Sequence, residues 1–223
     1  MNPTITPIQA VLFDYGMVLS GPPDPAAWER MRSIAGLSEE AFHQAYWVYR
    51  HDYDRDTFNA RTYWPKVAAN AGTSFTREQI DALIAADIDL WTDINPPMLV
   101  WAQSLQRAGM RTGILSNIGD AMTAGLLAKF DWLGAFDHCT WSYALKLAKP
   151  EEAIYRATAE SLKTPAETIL FIDDKPENIE AARAVGMQAI QYHYSHHAAF
   201  EQEMQTRGLG YLLSPAPLPA VQS

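Results

Sequence analysis

Short β-like runs followed by polar residues, with helical patterns between them, constrain this chain more than any other feature. Runs at 9–13, 111–116, 138–141, 168–172 and 188–192 have strand length and composition. Helical patterns at 97–108, 120–130, 151–161 and 176–185 separate them. Gly109 and Gly186 stand just past two of these helices, where a left-handed residue closes a last turn. Pro176 opens another, where its missing N–H costs nothing. Strands alternating with helices predict an α/β fold around a parallel sheet.

The stretch 21–95 has a different character. It carries no clear strand and reads as four helices. Asp24-Pro25 is an N-cap and N1 pair for a helix reaching Gly36. Ser38 starts a second, with Glu39 and Glu40 favouring its dipole. A third spans 60–71, and Thr76 with Gln79 makes a capping box for a fourth running to about residue 91. The expected architecture is a Rossmann-like parallel-sheet core, 1–20 and 96–212, with an inserted all-helical cap domain at 21–95. The proline-rich segment 213–223 is expected to be a disordered tail.

Composition narrows the partners. With 48% hydrophobic residues in 223, the chain can bury a substantial core. Seventeen basic against 26 acidic residues give a net charge of −9, which disfavours nucleic acid and anionic membranes. Cys139 is alone, so no internal disulfide forms, as suits a reducing compartment. Met1-Asn2-Pro3-Thr4 opens no signal-type segment, and no apolar run reaches membrane-spanning length. The expected location is the cytoplasm. Nothing in the sequence sets the oligomeric state.

Chemistry-bearing residues gather at the run ends. Asp14 follows the first, Ser116-Asn117 the second, Lys149-Pro150-Glu151 the third, and Asp173-Asp174 the fourth. An open parallel sheet binds ligands outside the carboxyl ends of its strands. Taken singly, these are a loop-capping acid, a helix N-cap, a surface lysine and a cap before Pro176. Taken in this order, they resemble the haloacid dehalogenase-like hydrolases, a superfamily made mostly of phosphatases. The run Phe13-Asp14-Tyr15-Gly16-Met17-Val18-Leu19-Ser20 is similar to the branch of glucose-1-phosphatase-type enzymes and epoxide hydrolase N-terminal phosphatase domains. Tyr53-Asp54-Arg55 and Tyr63-Trp64 resemble caps of that branch.

The resemblance implies a nucleophilic Asp14 that forms an aspartyl-phosphate. It implies Mg²⁺ held by Asp14, the Gly16 carbonyl and Asp174, with Asp173 and Asn178 in support. Ser116 and Asn117 would donate to phosphoryl oxygens, and Lys149, a better match than Lys146, would neutralise charge. The substrate would be a small phosphorylated molecule.

Gly16 stands where most such phosphatases carry a second Asp, the proton donor to the leaving oxygen. Three readings remain open. The first is a Mg²⁺-dependent phosphatase, with a sugar phosphate favoured because an anomeric oxygen leaves with less help. His51, Asp52 or Asp54 of the cap could then replace the acid. The second is a carbon–halogen or carbon–phosphorus hydrolase, the latter needing a cap lysine, for which Lys66 is the one choice. The third is a catalytically impaired phosphate-binding protein. Tyr46, Trp47, Tyr49 and Tyr53 are expected to pack the cap core, and Trp28, Trp91 and Trp101 to be buried. His196-His197 after Ser195 reads as a helix start rather than a metal pair.

Overall fold

The computed structural model describes residues 7–215. Its strands are β1 Ala10–Phe13, β2 Arg111–Ser116, β3 His138–Trp141, β4 Ile169–Asp173 and β5 Gln188–Gln191. They form one parallel sheet in the order β3-β2-β1-β4-β5. Each expected run is a strand, with its ends displaced by one residue at most. Central β1 shows why its sequence is continuously apolar. Val11 and Phe13 enter a core with Met98, Trp101 and Leu105, while Ala10 and Leu12 face Ile154 and Tyr155 on the other side. A strand covered on both faces has no place for a polar side chain.

Register then fixes the site. Phe13 pairs with Ile114 on β2 and with Ile172 on β4. The next residues, Asp14, Leu115 and Asp173, therefore emerge side by side at the carboxyl edge. The Asp14 N–H donates to the Ile172 carbonyl at 2.8 Å and extends the pairing one step further. Beyond Asp14 the chain makes one π-type turn, Tyr15–Leu19, in which Met17 takes a left-handed φ of 60°.

The cap holds the four expected helices, α1 Pro25–Ala35, α2 Glu39–Val48, α4 Ala60–Asn70 and α5 Arg77–Asp89, plus a short α3, Arg50–Asp54. Asp24 caps α1, Ser38 caps α2, and Thr76 with Gln79 closes the box on α5. Helix α3 has no side-chain cap, so no start signal marked it. Tyr46 and Tyr53 are buried in the cap core with Tyr63 and Trp64, as expected. Tyr49 is only half-buried, and Trp47 departs from expectation at 44% exposed. Trp28 is also half-buried, whereas Trp101 sits in the sheet's core.

The return segment forms α6, Pro96–Arg107, and α7, Asp120–Lys129, on one face of the sheet. A one-turn α8, Ser142–Leu145, follows β3, and α9, Glu152–Ser161, and α10, Pro176–Ala184, cover the opposite face. Helix α11, His197–Thr206, completes the first face through Phe200 and Met204. Of the expected tail, Leu213 packs against that core, and residues 216–223 lie outside the described part.

Cap and core meet by close approach. Ile88 of α5 lies on Gly125 of α7, where an added Cβ would come within 2.5 Å of its Cδ1. The Tyr53 ring covers Gly119 in the same way. Gly125→Ala is therefore expected to lower unfolding stability by about 1–3 kcal/mol. A double-mutant cycle with Ile88→Ala, read by urea denaturation, should return a coupling of about 0.5 kcal/mol or more.

Candidate active site

Lys149, between α8 and α9, is 3% exposed and lies under the sheet's carboxyl edge. Its ammonium group donates to Asp14 Oδ2 at 2.8 Å, to Asp173 Oδ2 at 2.6 Å and to the Leu115 carbonyl at 3.0 Å. An ammonium has three hydrogens. All three are used, one on each of three adjacent strand ends. Asn117 holds this lysine by its backbone: its Oδ1 accepts from Lys149 N at 2.8 Å, and its Nδ2 donates to the Lys149 carbonyl at 2.9 Å. Asn117 lines the cavity as well, but its side-chain amide is committed to the lysine loop, so a phosphoryl group would meet its backbone N–H. The Ser116 hydroxyl also lines the cavity and, by contrast, has no partner among the described residues.

The two carboxylates on Lys149 differ. Asp173 Oδ1 also accepts from Lys175 N at 2.8 Å and from Asn178 Nδ2 at 2.9 Å. Burial pushes its carboxyl up, but Lys149 and these donors outweigh burial and hold it below the usual range. Asp14 has fewer donors. Burial pushes it up to about 7 against the pull of Lys149, and Asp173 and Asp174 add to the rise. Asp174 is raised as well, by burial and by Asp173, and has no ion-pair partner among the described residues. Asp14, Asp173 and Asp174 each present an oxygen within 4.8 Å of the others. Asp173 takes three donors, whereas Asp14 takes two, Lys149 on Oδ2 and Tyr15 N on Oδ1 at 2.7 Å, so Asp14 and Asp174 keep the lone pairs that a hard divalent cation needs. The donor set fits one.

A cavity of about 300 Å³ lies between this edge and the cap. Its floor includes Asp14, Ser116, Lys149 and Asp174, and its roof includes Trp47, Arg50, His51 and Asp54. Asp52 does not line it. Lys66 is elsewhere, over the Phe58 ring at 4.4 Å. Trp91, expected in the core, is half-buried against both the sheet and cap cores and also forms a wall of the cavity, with Cζ3 3.4 Å from where a Cβ on Gly16 would stand. A longer side chain at position 16 would meet that ring. Ser195 bonds His196 Nδ1 at 2.8 Å, and α11 starts at His197, as the helix reading expected.

Sequence reasoning missed Arg50. Its Nε donates to Asp54 Oδ1 at 3.2 Å and its Nη1 to Asp87 Oδ2 at 3.1 Å, with a further bond to the Tyr46 hydroxyl. The four-residue spacing of Arg50 and Asp54 was a visible hint, but Asp87 lies 37 residues on.

The haloacid dehalogenase-like hydrolase family model matches residues 10–186. This chain belongs to that family. The hydrolase is 27% identical over 189 residues to a phosphatase of Mycobacterium tuberculosis, covering 82% of this chain and 86% of that one. It is 32% identical over 130 residues to bifunctional epoxide hydrolase 2 of Rattus norvegicus, covering 56% of this chain but 23% of that protein, so it spans about a quarter of that relative. It is 24% identical over 196 residues to (S)-2-haloacid dehalogenase 1 of a Pseudomonas species, covering 83% and 84%. Among solved structures, a HAD family enzyme of Bacteroides thetaiotaomicron shares its fold at TM-score 0.72 and 21% identity, over 87% of this chain and 99% of that one. The same enzyme has been crystallised with magnesium and inorganic phosphate. No described helix of this hydrolase is long and apolar enough to cross a membrane.

The electrostatics make a prediction with a definite sign. Between the ordinary 3.8 and about 7, folded Asp14 keeps a proton that the unfolded chain releases, so its contribution to stability falls as pH rises through that window. A cation binds the ionised carboxylates, so its stabilisation grows over the same window. Magnesium at a hundred times its dissociation constant should stabilise by about 2.7 kcal/mol. The rise in Tm should be larger at about pH 8 than at about pH 5.5. Asp174→Ala should remove it.

Proposed function

We propose that this hydrolase is a magnesium-dependent phosphatase of small phosphomonoesters, acting through an aspartyl-phosphate on Asp14. The single observation carrying this reading is the pairing of a lysine-held Asp14 with an unpaired Asp174 across the floor of one cavity. Asp14 presents its carboxylate to the cavity while Lys149 holds its Oδ2 in place. Attack on phosphorus by that carboxylate divides one displacement into two easier ones. The Ser116 hydroxyl receives a phosphoryl oxygen, Lys149 offsets the phosphoryl charge from beneath Asp14, and Asp173 keeps Lys149 oriented through its own bond at 2.6 Å. A magnesium ion held by Asp14, the Gly16 carbonyl and Asp174 would offset the negative charge of the phosphoryl group.

A phosphorylated sugar remains the favoured substrate class, because an oxygen that leaves readily suits a floor lacking a second acid at Gly16. The magnesium and phosphate held by the Bacteroides enzyme support the cofactor and the reacting group. The dehalogenase relative keeps carbon–halogen cleavage as the rival, but that chemistry has no use for an unpaired Asp174. Carbon–phosphorus cleavage has no lysine in the roof to form a Schiff base.

Phosphate release from an aryl phosphate should require magnesium and fall by on the order of 10⁴-fold or more in Asp14→Asn. Metal-independent halide release from 2-haloacids, with no phosphate release, would establish the rival chemistry instead.

A further inference from the structure

The floor of the cavity supplies a nucleophile, a cation-binding pair and an ammonium, but no group free to protonate a leaving oxygen. Gly16 has no side chain, and Trp91 covers the space above it. Asp14 is the nucleophile, Asp173 is enclosed by its donors, and Asp174 would hold the cation. The roof offers the Asp54 carboxyl and the His51 imidazole, and of these two only Asp54 is held by a side-chain hydrogen bond among the described residues.

Three features place it for work. Its side chain is 12% exposed and lines the cavity. One oxygen, Oδ1, accepts from Arg50 Nε at 3.2 Å, while Oδ2 has no partner among the described residues. Its backbone is pinned to the core, since Ser142 Oγ donates to the Asp54 carbonyl at 2.5 Å and also accepts from Ile118 N at 2.8 Å. The two residues after it are pinned to the same segment. Arg55 pairs with Glu151 at 2.6 Å, and Asp56 with Lys146 at 3.3 Å. Three consecutive cap residues thus grip the stretch 142–151 that carries Lys149. Before them, Tyr53 closes on Gly119, where any side chain would push its ring away.

We infer that Asp54 is the general acid and base of this hydrolase, delivered from the cap in place of the acid missing at Gly16. The inference rests on the phosphatase reading above. In the first half-reaction an Asp14 oxygen bonds to phosphorus, the bond from phosphorus to the leaving oxygen breaks, and that oxygen takes the Asp54 proton. The Asp54 carboxylate so formed stays paired with Arg50. In the second half-reaction Asp54 takes a proton from water as the water oxygen attacks phosphorus. The bond from phosphorus to Asp14 breaks, and phosphate leaves with both carboxyls restored. The charged groups around Asp54 are Arg50, Asp87 and Lys175. Burial raises its carboxyl above the usual range against the pull of Arg50.

Leaving-group dependence tests this. Full-length wild type, Asp54→Asn, Asp54→Glu and Arg55→Gln are assayed with magnesium on a series from p-nitrophenyl phosphate to alkyl phosphates. General acid help is worth about 10²–10⁴-fold, and it matters most for the poorest leaving groups. Asp54→Asn should therefore raise the aryl-to-alkyl ratio of kcat/KM by about 10²-fold or more. Asp54→Glu should keep the wild-type ratio, and Arg55→Gln should shift it in the same direction by a smaller factor. Equal losses on all substrates in Asp54→Asn, or no loss, overturn the inference and leave the phosphatase reading intact. If Asp54→Asn does not fold, as judged by circular dichroism, an unchanged ratio in Arg55→Gln overturns it. Failure of the wild type to release phosphate from any member of the series overturns both.

Discussion

Three carboxylates at one sheet edge are tolerable because a single buried ammonium lies between two of them. Lys149 spends its three hydrogens on Asp14, Asp173 and the Leu115 carbonyl, and so ties together the ends of three parallel strands. Removing Lys149 from such a buried set should cost about 3–5 kcal/mol, because the two carboxylates left behind lose their shared counter-charge. The convergence depends on register. Were β4 displaced by one residue against β1, Asp173 would point to the other face, since strand side chains alternate. Sheet pairing, lysine orientation and the poise of Asp14 are thus one constraint seen at three scales.

The cap answers a deficiency in that floor. Gly16 leaves its backbone in place but provides no side chain, and the Trp91 ring stands at contact distance above it. The polar groups facing Asp14 from above come instead from α3, the short helix whose last residue is Asp54. Segments 54–56 and 142–151 are joined by a hydrogen bond and two ion pairs. Of these, the Ser142 bond is buried, so it is screened least by solvent. The arrangement of the roof is then inseparable from the loop that positions the floor's lysine.

Most of the sheet was legible because its strands are short β-like runs bounded by turn residues, although nothing local marked their register. The floor was legible in part, since Asp14, Ser116 and Asp174 stand at strand ends, whereas Lys149 lies eight residues past β3 and was found through the family resemblance. What could not be read was anything set by contacts distant in sequence. That the Asn117 side-chain amide holds the backbone of Lys149, 32 residues later, has no local signal. Trp91 lies at the end of an apolar periodic pattern, which predicts burial without saying which wall the ring will build. Helix α3 lacks a capping side chain, so local signals ended at α2. Arg50 and Asp87 become partners only once α3 and α5 pack together in the cap.

The cluster of Arg50, Asp54 and Asp87 constrains the history of this chain as well as its shape. One guanidinium serves two buried acids, and the Tyr46 hydroxyl donates to Asp87 at 2.7 Å. Losing Arg50 strands two buried acids, whereas losing either acid leaves a balanced pair. A lineage carrying this cluster can therefore shed one acid in a single step, but Arg50 only after both. Position 50 should accordingly change more slowly than position 54 or 87.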